Sequence, residues 1–246
     1  MAKAVHKRGW NSVSMSFRGC SGEPNRLLKS YHHGVSDDLA IVVNHVVEKG
    51  YTTVAVVGFS LGANVLLKYI GEQKYSIPKS LCGGVAISAP CDLAGCAKKM
   101  DQPSHAFYTK RFLKMLHEKI IDKKESFPDL VNDEGYEKIV TFREFDNRYT
   151  APMQGFTDAQ DYYTKVASLQ YLHSITTPVL LLNAKDDPFL TPECSPQHIA
   201  ASNKALFLEM PEHGGHVGFI SFNKDNEYWL ESRAVEFLEE ISLKHN

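Results

Sequence analysis

The stretch from Val54 to Ile70, VAVVGFSLGANVLLKYI, limits what this chain can fold into more than any other. Val54 to Val57 read as a buried strand and Ala63 to Ile70 as a helix. Only Gly58, Phe59, Ser60, Leu61 and Gly62 remain to reverse the chain. So short a reversal is strained. Ser60 at its apex is expected in an unfavourable φ/ψ region, and Gly58 and Gly62, lacking Cβ atoms, let strand and helix approach closely. The five residues match the G-x-S-x-G elbow. Such an elbow holds a serine Oγ at the carboxyl end of a sheet and sets the next N–H, here that of Leu61, at a helix N-terminus where developing negative charge is stabilised. An ordinary βα turn with a glycine-flanked serine would match the same five letters. The flanking strand and helix, and residues further along, weigh against it.

On either side the same alternation continues. Ala2 to Lys7 reads as helix stopped at Gly9, and Ser12 to Phe17 alternates polar and apolar residues as a strand. A glycine-rich loop, Arg18 to Asn25, follows at that strand's carboxyl end, where Arg18 either pairs with a carboxylate or touches substrate. Ser36 is the expected cap of a helix with Asp37 and Asp38 in its first turn, Leu39, Val42, Val43 and Val46 on its buried face, and Gly50 at its end. Leu81 to Ser88, Pro178 to Asn183 and Ala205 to Met210 are further apolar strands, and Tyr228 to Leu243 has helical spacing. The βα rhythm predicts an α/β chain with a mostly parallel sheet and helices on both faces.

Between Cys91 and about Tyr163 the rhythm breaks into helical patterns, Ser104 to Ile121 and near Glu134 to Phe145. Residues 91–165 are therefore expected as a helical cap inserted in a single domain, 1–246. Its apolar residues, among them Phe107, Phe112, Met115, Leu116, Phe142, Phe145, Met153 and Phe156, outnumber what short connections need. Some are expected to wall a pocket, while packing accounts for most.

With 246 residues, 43% hydrophobic and 23% charged, one globular domain with a sizeable core is expected. A net charge of -2 without a dense Lys/Arg run gives no footprint for nucleic acid or an anionic membrane surface, and suits small neutral substrates. The five cysteines are odd in number and form no C-x-x-C pair, which predicts reduced thiols and a cytoplasmic protein without zinc. Met1 to Trp10 has cations but no apolar stretch behind them, and no run approaches a membrane span. A monomer or weak oligomer is the expected state.

A serine hydroxyl needs a base to take its proton and a carboxylate to orient that base. The order here is Ser60, then Asp186-Asp187, then His213 and His216, each just after an apolar strand. Asp187 is preferred because it lies three residues past Ala184, leaving Asp186 to cap the turn. His216 is preferred because Gly214-Gly215 before it lets the loop swing the imidazole toward Ser60. Metal sites from these two Asp and two His residues, or at His32-His33, lack ligand spacing on one element, and Cys20 is a weaker nucleophile candidate.

RGCSGEPNR, YHHG followed by DD, VGFSLGANVLLKY, NAKDDPF and HGGHVGF together resemble the YheT-like carboxylesterases, a branch of the α/β-hydrolase superfamily with short-chain esterases and acylglycerol lipases. The resemblance implies the α/β-hydrolase fold, Ser60, Asp187 and His216 as a charge-relay triad, a small-molecule ester substrate and no cofactor or metal. It also implies upstream strands and a His-Gly loop that supplies a second oxyanion N–H. These are not found before the helix at Met1, so the expectation is an N-terminally truncated version lacking the strand between Ser12–Phe17 and Val54–Val57, or else direct pairing of those two strands with a shifted site. Hydrolysis of carboxylic esters is the expected activity. Thioester or amide cleavage by the same triad, or a catalytically defective ligand-binding remnant, are the alternatives.

Overall fold

The computed structural model describes residues 1–72, 76–221 and 227–245. In chain order its helices and strands are α1 (Ala2–Lys7), α2 (Ser36–Glu48), β1 (Val54–Phe59), α3 (Leu61–Gly71), β2 (Leu81–Ile87), α4 (Leu93–Met100), α5 (Ala106–Ser126), α6 (Phe142–Phe145), α7 (Ala151–Gln154), α8 (Ala159–Val166), β3 (Val179–Leu182), α9 (Gln197–Ser202), β4 (Leu206–Glu209) and α10 (Trp229–His245). They form two compact units, one of Met1–Met15, His33–Asp92 and Ala167–Asn246, the other of Ser16–His32 and Leu93–Val166.

The first unit is built on a parallel sheet of order β1-β2-β3-β4. β2 and β3 are buried at every position, as expected of strands covered on both faces. Gly83 and Gly84 make that double cover possible in the middle of β2. A Cβ at Gly83 would stand 2.5 Å from Ile241 Cδ1 of α10, and one at Gly84 would stand 3.0 Å from Leu66 Cδ2 of α3. Val85, Ile87, Leu180 and Leu182 pack with Leu230, Ala234, Val235, Phe237, Leu238 and Ile241 of α10 and with Ala4 and Val5 of α1. Burial of this apolar face stabilises the unit at about 25 cal/mol per Å² removed from water.

The register aligns the strand ends. Phe59 pairs with Ile87, Ile87 with Leu182, and Leu182 with Glu209. The ladder runs one step further through Ser60 N–H to Ile87 O (2.8 Å), Ser88 N–H to Leu182 O (2.9 Å) and Asn183 N–H to Glu209 O (3.1 Å). Ser60, Ser88 and Asn183 thus stand in one row at the carboxyl edge.

Ser12 to Phe17 is not a strand. Among the described residues the segment has no ladder partner, β1 being registered only with β2, and Asn11 to Ser14 are exposed. Alternation without a partner leaves backbone groups to water. Ser36 does not cap α2 either: it is the first helical residue, after Val35, and its buried Oγ accepts from Lys68 Nζ at 3.4 Å.

In the second unit Leu113, Ile120, Val131, Tyr136, Phe145 and Tyr149 form the core, and Leu28 packs against it. Lys119 Nζ donates to Gly19 O (2.9 Å), Lys123 Nζ to Asn25 O (3.4 Å) and Leu27 O, and Gln154 Nε2 to Ser30 O (2.9 Å). These bonds tie the Ser16–His32 segment, the glycine-rich loop included, to α5 and α7. The helix expected near Glu134 to Phe145 is interrupted: after a short turn at Tyr136–Lys138, Thr141 takes extended angles and starts α6 with a capping box to Glu144. A π-helical turn, Asp146–Thr150, follows. No helix among the described residues is long and apolar enough to cross a membrane.

Candidate active site

Ser60 follows β1 directly and precedes the first turn of α3, with φ 49° and ψ -115°. A non-glycine residue at positive φ is costly and persists only where its surroundings over-determine it. Here the elbow does so. Ser60 N–H is bonded into the ladder, and Ser60 O accepts from Ala63 N–H (3.0 Å) and Asn64 N–H (3.1 Å). Any Cβ at Gly58 would stand 2.6 Å from Gly62 C, 2.8 Å from Ala63 N and closer still to Gly62 O, so only glycine permits this approach. The N–H of Leu61, first residue of α3, is one that intrahelical bonding leaves free.

Two loops bring the remaining polar groups to the same edge. After β3, Asn183 bridges to Ala89 N–H (2.8 Å) and Cys194 O (2.6 Å), which fixes the strand's exit. Asp187 then turns inward and is 4% exposed. Its Oδ1 accepts from Phe189 N–H (2.9 Å), while Oδ2 faces His216 Nδ1 at 2.9 Å. The other ring nitrogen, His216 Nε2, stands 2.9 Å from Ser60 Oγ. With Nδ1 protonated and donating to Asp187, Nε2 is free to accept from the serine. The Phe189 ring lies against the imidazole, 4.7 Å between centroids.

Asp186 points the other way. Its Oδ1 accepts from Gly214 N–H and Gly215 N–H, both 2.8 Å, and Oδ2 faces His213 Nδ1 at 3.4 Å. The amide of Gly215 above all, with that of Gly214 and the His213 ring, holds this carboxyl below the usual carboxylate range. His213 itself is exposed. The two adjacent carboxylates therefore serve different partners, one fastening the loop and the other facing the imidazole. Arg18 and Cys20 lie in the other unit, in the Ser16–His32 segment, both exposed. Among the described residues no cluster of three or more His, Cys, Asp or Glu side chains could hold a metal ion.

Ser88 was not singled out by the sequence. It is fully buried, sits at φ 51°, and its Oγ accepts the N–H of Val217, the residue after His216, at 3.0 Å. Val217 and Phe219 also have positive φ, and Phe219 N–H closes the turn on Gly214 O at 2.9 Å. The available signal was positional: Ser88 follows an apolar strand, as Ser60 does. Asn64, also fully buried, donates to His33 O (2.7 Å) and accepts from Ser168 N–H (2.9 Å), locking the helix behind the elbow.

The profile of the "Alpha/beta hydrolase family" matches residues 1–226. YheT of Escherichia coli (strain K12), a candidate esterase by its name, is 34% identical over 97% of this chain and 70% of its own length. The monoacylglycerol lipase of Saccharomyces cerevisiae is 29% identical over 97% of this chain and 55% of its own. Across the curated relatives named among its matches, the chain spans from 44% to 70% of their length. The structure of the Pyrococcus furiosus esterase Pf2001 superposes with a TM-score of 0.57 at 19% identity, over 97% of this chain and 74% of that one, so the two share a fold.

Proposed function

The chain belongs to the alpha/beta hydrolase family, and from that premise we propose that it is a serine hydrolase of carboxylic esters, of short-chain or acylglycerol type. The observation that carries the reading is the continuous run of Ser60 Oγ, His216 Nε2 and Nδ1, and Asp187 Oδ2, with both spacings 2.9 Å. Ser60 attacks the ester carbonyl as His216 Nε2 takes its proton, and Asp187 holds the resulting imidazolium. The oxyanion accepts from Leu61 N–H at the N-terminus of α3. Collapse expels the alcohol, which takes the proton from His216. Water, deprotonated by the same ring, then cleaves the acyl-enzyme to the carboxylic acid.

The names of the relatives above support an ester substrate, and residues 91–165 are taken as the helical cap insertion within one domain, 1–246. None of the five cysteines forms a disulfide among the described residues, which supports a reducing compartment, the cytoplasm. The test is the initial rate on a short-chain chromogenic ester beside Ser60→Ala, with matched thioester and amide substrates in parallel. A folded Ser60→Ala protein with the wild-type rate would overturn the reading.

A second reading, ligand binding with impaired turnover, is favoured by one observation: β1, which leads into Ser60, is the edge strand of the described sheet. Stoichiometric acylation without steady turnover in a rapid-quench experiment would select it.

A further inference from the structure

The first three turns of α5 carry apolar side chains that the fold leaves outside. Thr109, Leu113, Ile120 and Lys123 form the helix's buried face. Opposite them, Phe107, Arg111 and Met115 recur every four residues as a ridge, with Tyr108 and Phe112 on one flank and Lys110 and Lys114 on the other. Phe107 is 74% exposed and Met115 53% exposed, so neither contributes a packed side chain to the core. Lys110, Arg111 and Lys114 are exposed and make no ion pair among the described residues. From Ala106 to Leu116 there is no carboxylate; the ridge turns acidic only at Glu118 and Asp122. The overall charge of -2 conceals this local cationic, aromatic surface.

We propose that this face of α5 is an interfacial anchor for a lipid bilayer bearing anionic headgroups. The ridge has an aromatic flank on one side and a cationic flank on the other. Phe107 and Met115 enter the acyl boundary, the phenol of Tyr108 stays at headgroup level, and Lys110, Arg111 and Lys114 extend sideways to the phosphates. An acidic protein would match the three cations but would need preformed pockets for Phe107 and Met115, whereas a fluid bilayer conforms to them. Charge complementarity thus selects the anionic leaflet, and the protruding apolar tips select lipid. Such a helix lies in the interface without spanning it, and it needs no particular chemistry at Ser60.

The test is co-sedimentation of the full chain with phosphatidylcholine vesicles, with and without phosphatidylglycerol. Two variants stand beside wild type, Lys110→Gln/Arg111→Gln/Lys114→Gln and Phe107→Ser/Met115→Ser, and both change exposed side chains only. Wild type should partition onto the anionic vesicles and be released by salt. The glutamine variant should bind about 100-fold more weakly, and the serine variant at least tenfold more weakly. Equal recovery from both vesicle types, or unchanged binding by both variants, would overturn the proposal. So would a dimer in sedimentation equilibrium that the serine variant dissociates, since a second copy would then cover the face. No turnover is measured, so this outcome is separate from that of the ester-hydrolase reading.

Discussion

Replacing Gly58 by alanine should disable the site by moving it rather than by removing any reacting group. The added Cβ would lie 2.6 Å from Gly62 C and 2.8 Å from Ala63 N, against an ordinary approach of about 3.4 Å or more. Backbone atoms of a helix cannot swing aside, so β1 and α3 must part by several tenths of an ångström to about 1 Å. That displacement acts directly on Ser60, the residue between them, whose Oγ stands 2.9 Å from His216 Nε2. Overpacking of this kind costs about 1–3 kcal/mol of stability, and a misplacement near 1 Å lowers kcat by about 100-fold. Gly71→Ala is the matched control. Its Cβ meets Tyr171 O at 2.5 Å and Tyr171 Cβ at 2.9 Å at the far end of the same helix, so it should destabilise similarly while kcat stays within a few-fold. Steady-state kinetics on a chromogenic ester and thermal melts of both variants decide. A folded Gly58→Ala protein with near wild-type kcat would refute the account of the elbow.

Ser88→Ala removes the acceptor for Val217 N–H, and the loss of about 1 kcal/mol in holding the histidine loop should lower kcat by about fivefold, with KM unchanged; equal kcat would show that the bond does not position His216. Asn64→Leu removes the donor to His33 O and the buried acceptor for Ser168 N–H, so urea unfolding should show a loss of about 2–5 kcal/mol, and a smaller change than 1 kcal/mol would contradict that role. In the second unit, burial pushes Asp146 up to about 6 although Thr150 and the Tyr163 hydroxyl, 2.6 Å away, donate to it. A carboxyl raised in the fold stabilises fully below its unfolded value, and that stability is lost as pH rises through about 6. Wild type should lose about 1.5 kcal/mol between pH 5 and pH 8 that Asp146→Asn does not lose, so the variant's advantage in melting temperature should grow with pH; a constant difference would refute the assignment.

The four strands were legible to within two residues, because each is a short apolar run ended by a turn; the largest miss is β1, which carries on through Gly58 and Phe59. The elbow was legible because Gly58, Ser60 and Gly62 satisfy a steric requirement that few sequences meet. Ser12 to Phe17 failed for the converse reason: alternation records what a strand would look like, and pairing decides whether one forms. Ser36 has a capping side chain, yet a buried Lys68 claims its Oγ from within the first unit. The attachment of Ser16–His32 to α5 and α7 rests on Lys119, Lys123 and Gln154 reaching main-chain oxygens about 100 or more residues away. Nothing local in the sequence encodes those contacts. Ser88 escaped notice because its function lies in a positive φ and one bond to the histidine loop.

The most direct test of the assignment of Ser60 as nucleophile is covalent trapping with a fluorophosphonate, read by intact mass and peptide mapping on wild type and His216→Ala. The account predicts a single adduct on the peptide carrying Ser60 and its near absence in the variant. A folded wild-type chain that takes no adduct, or takes it on another residue, would contradict it.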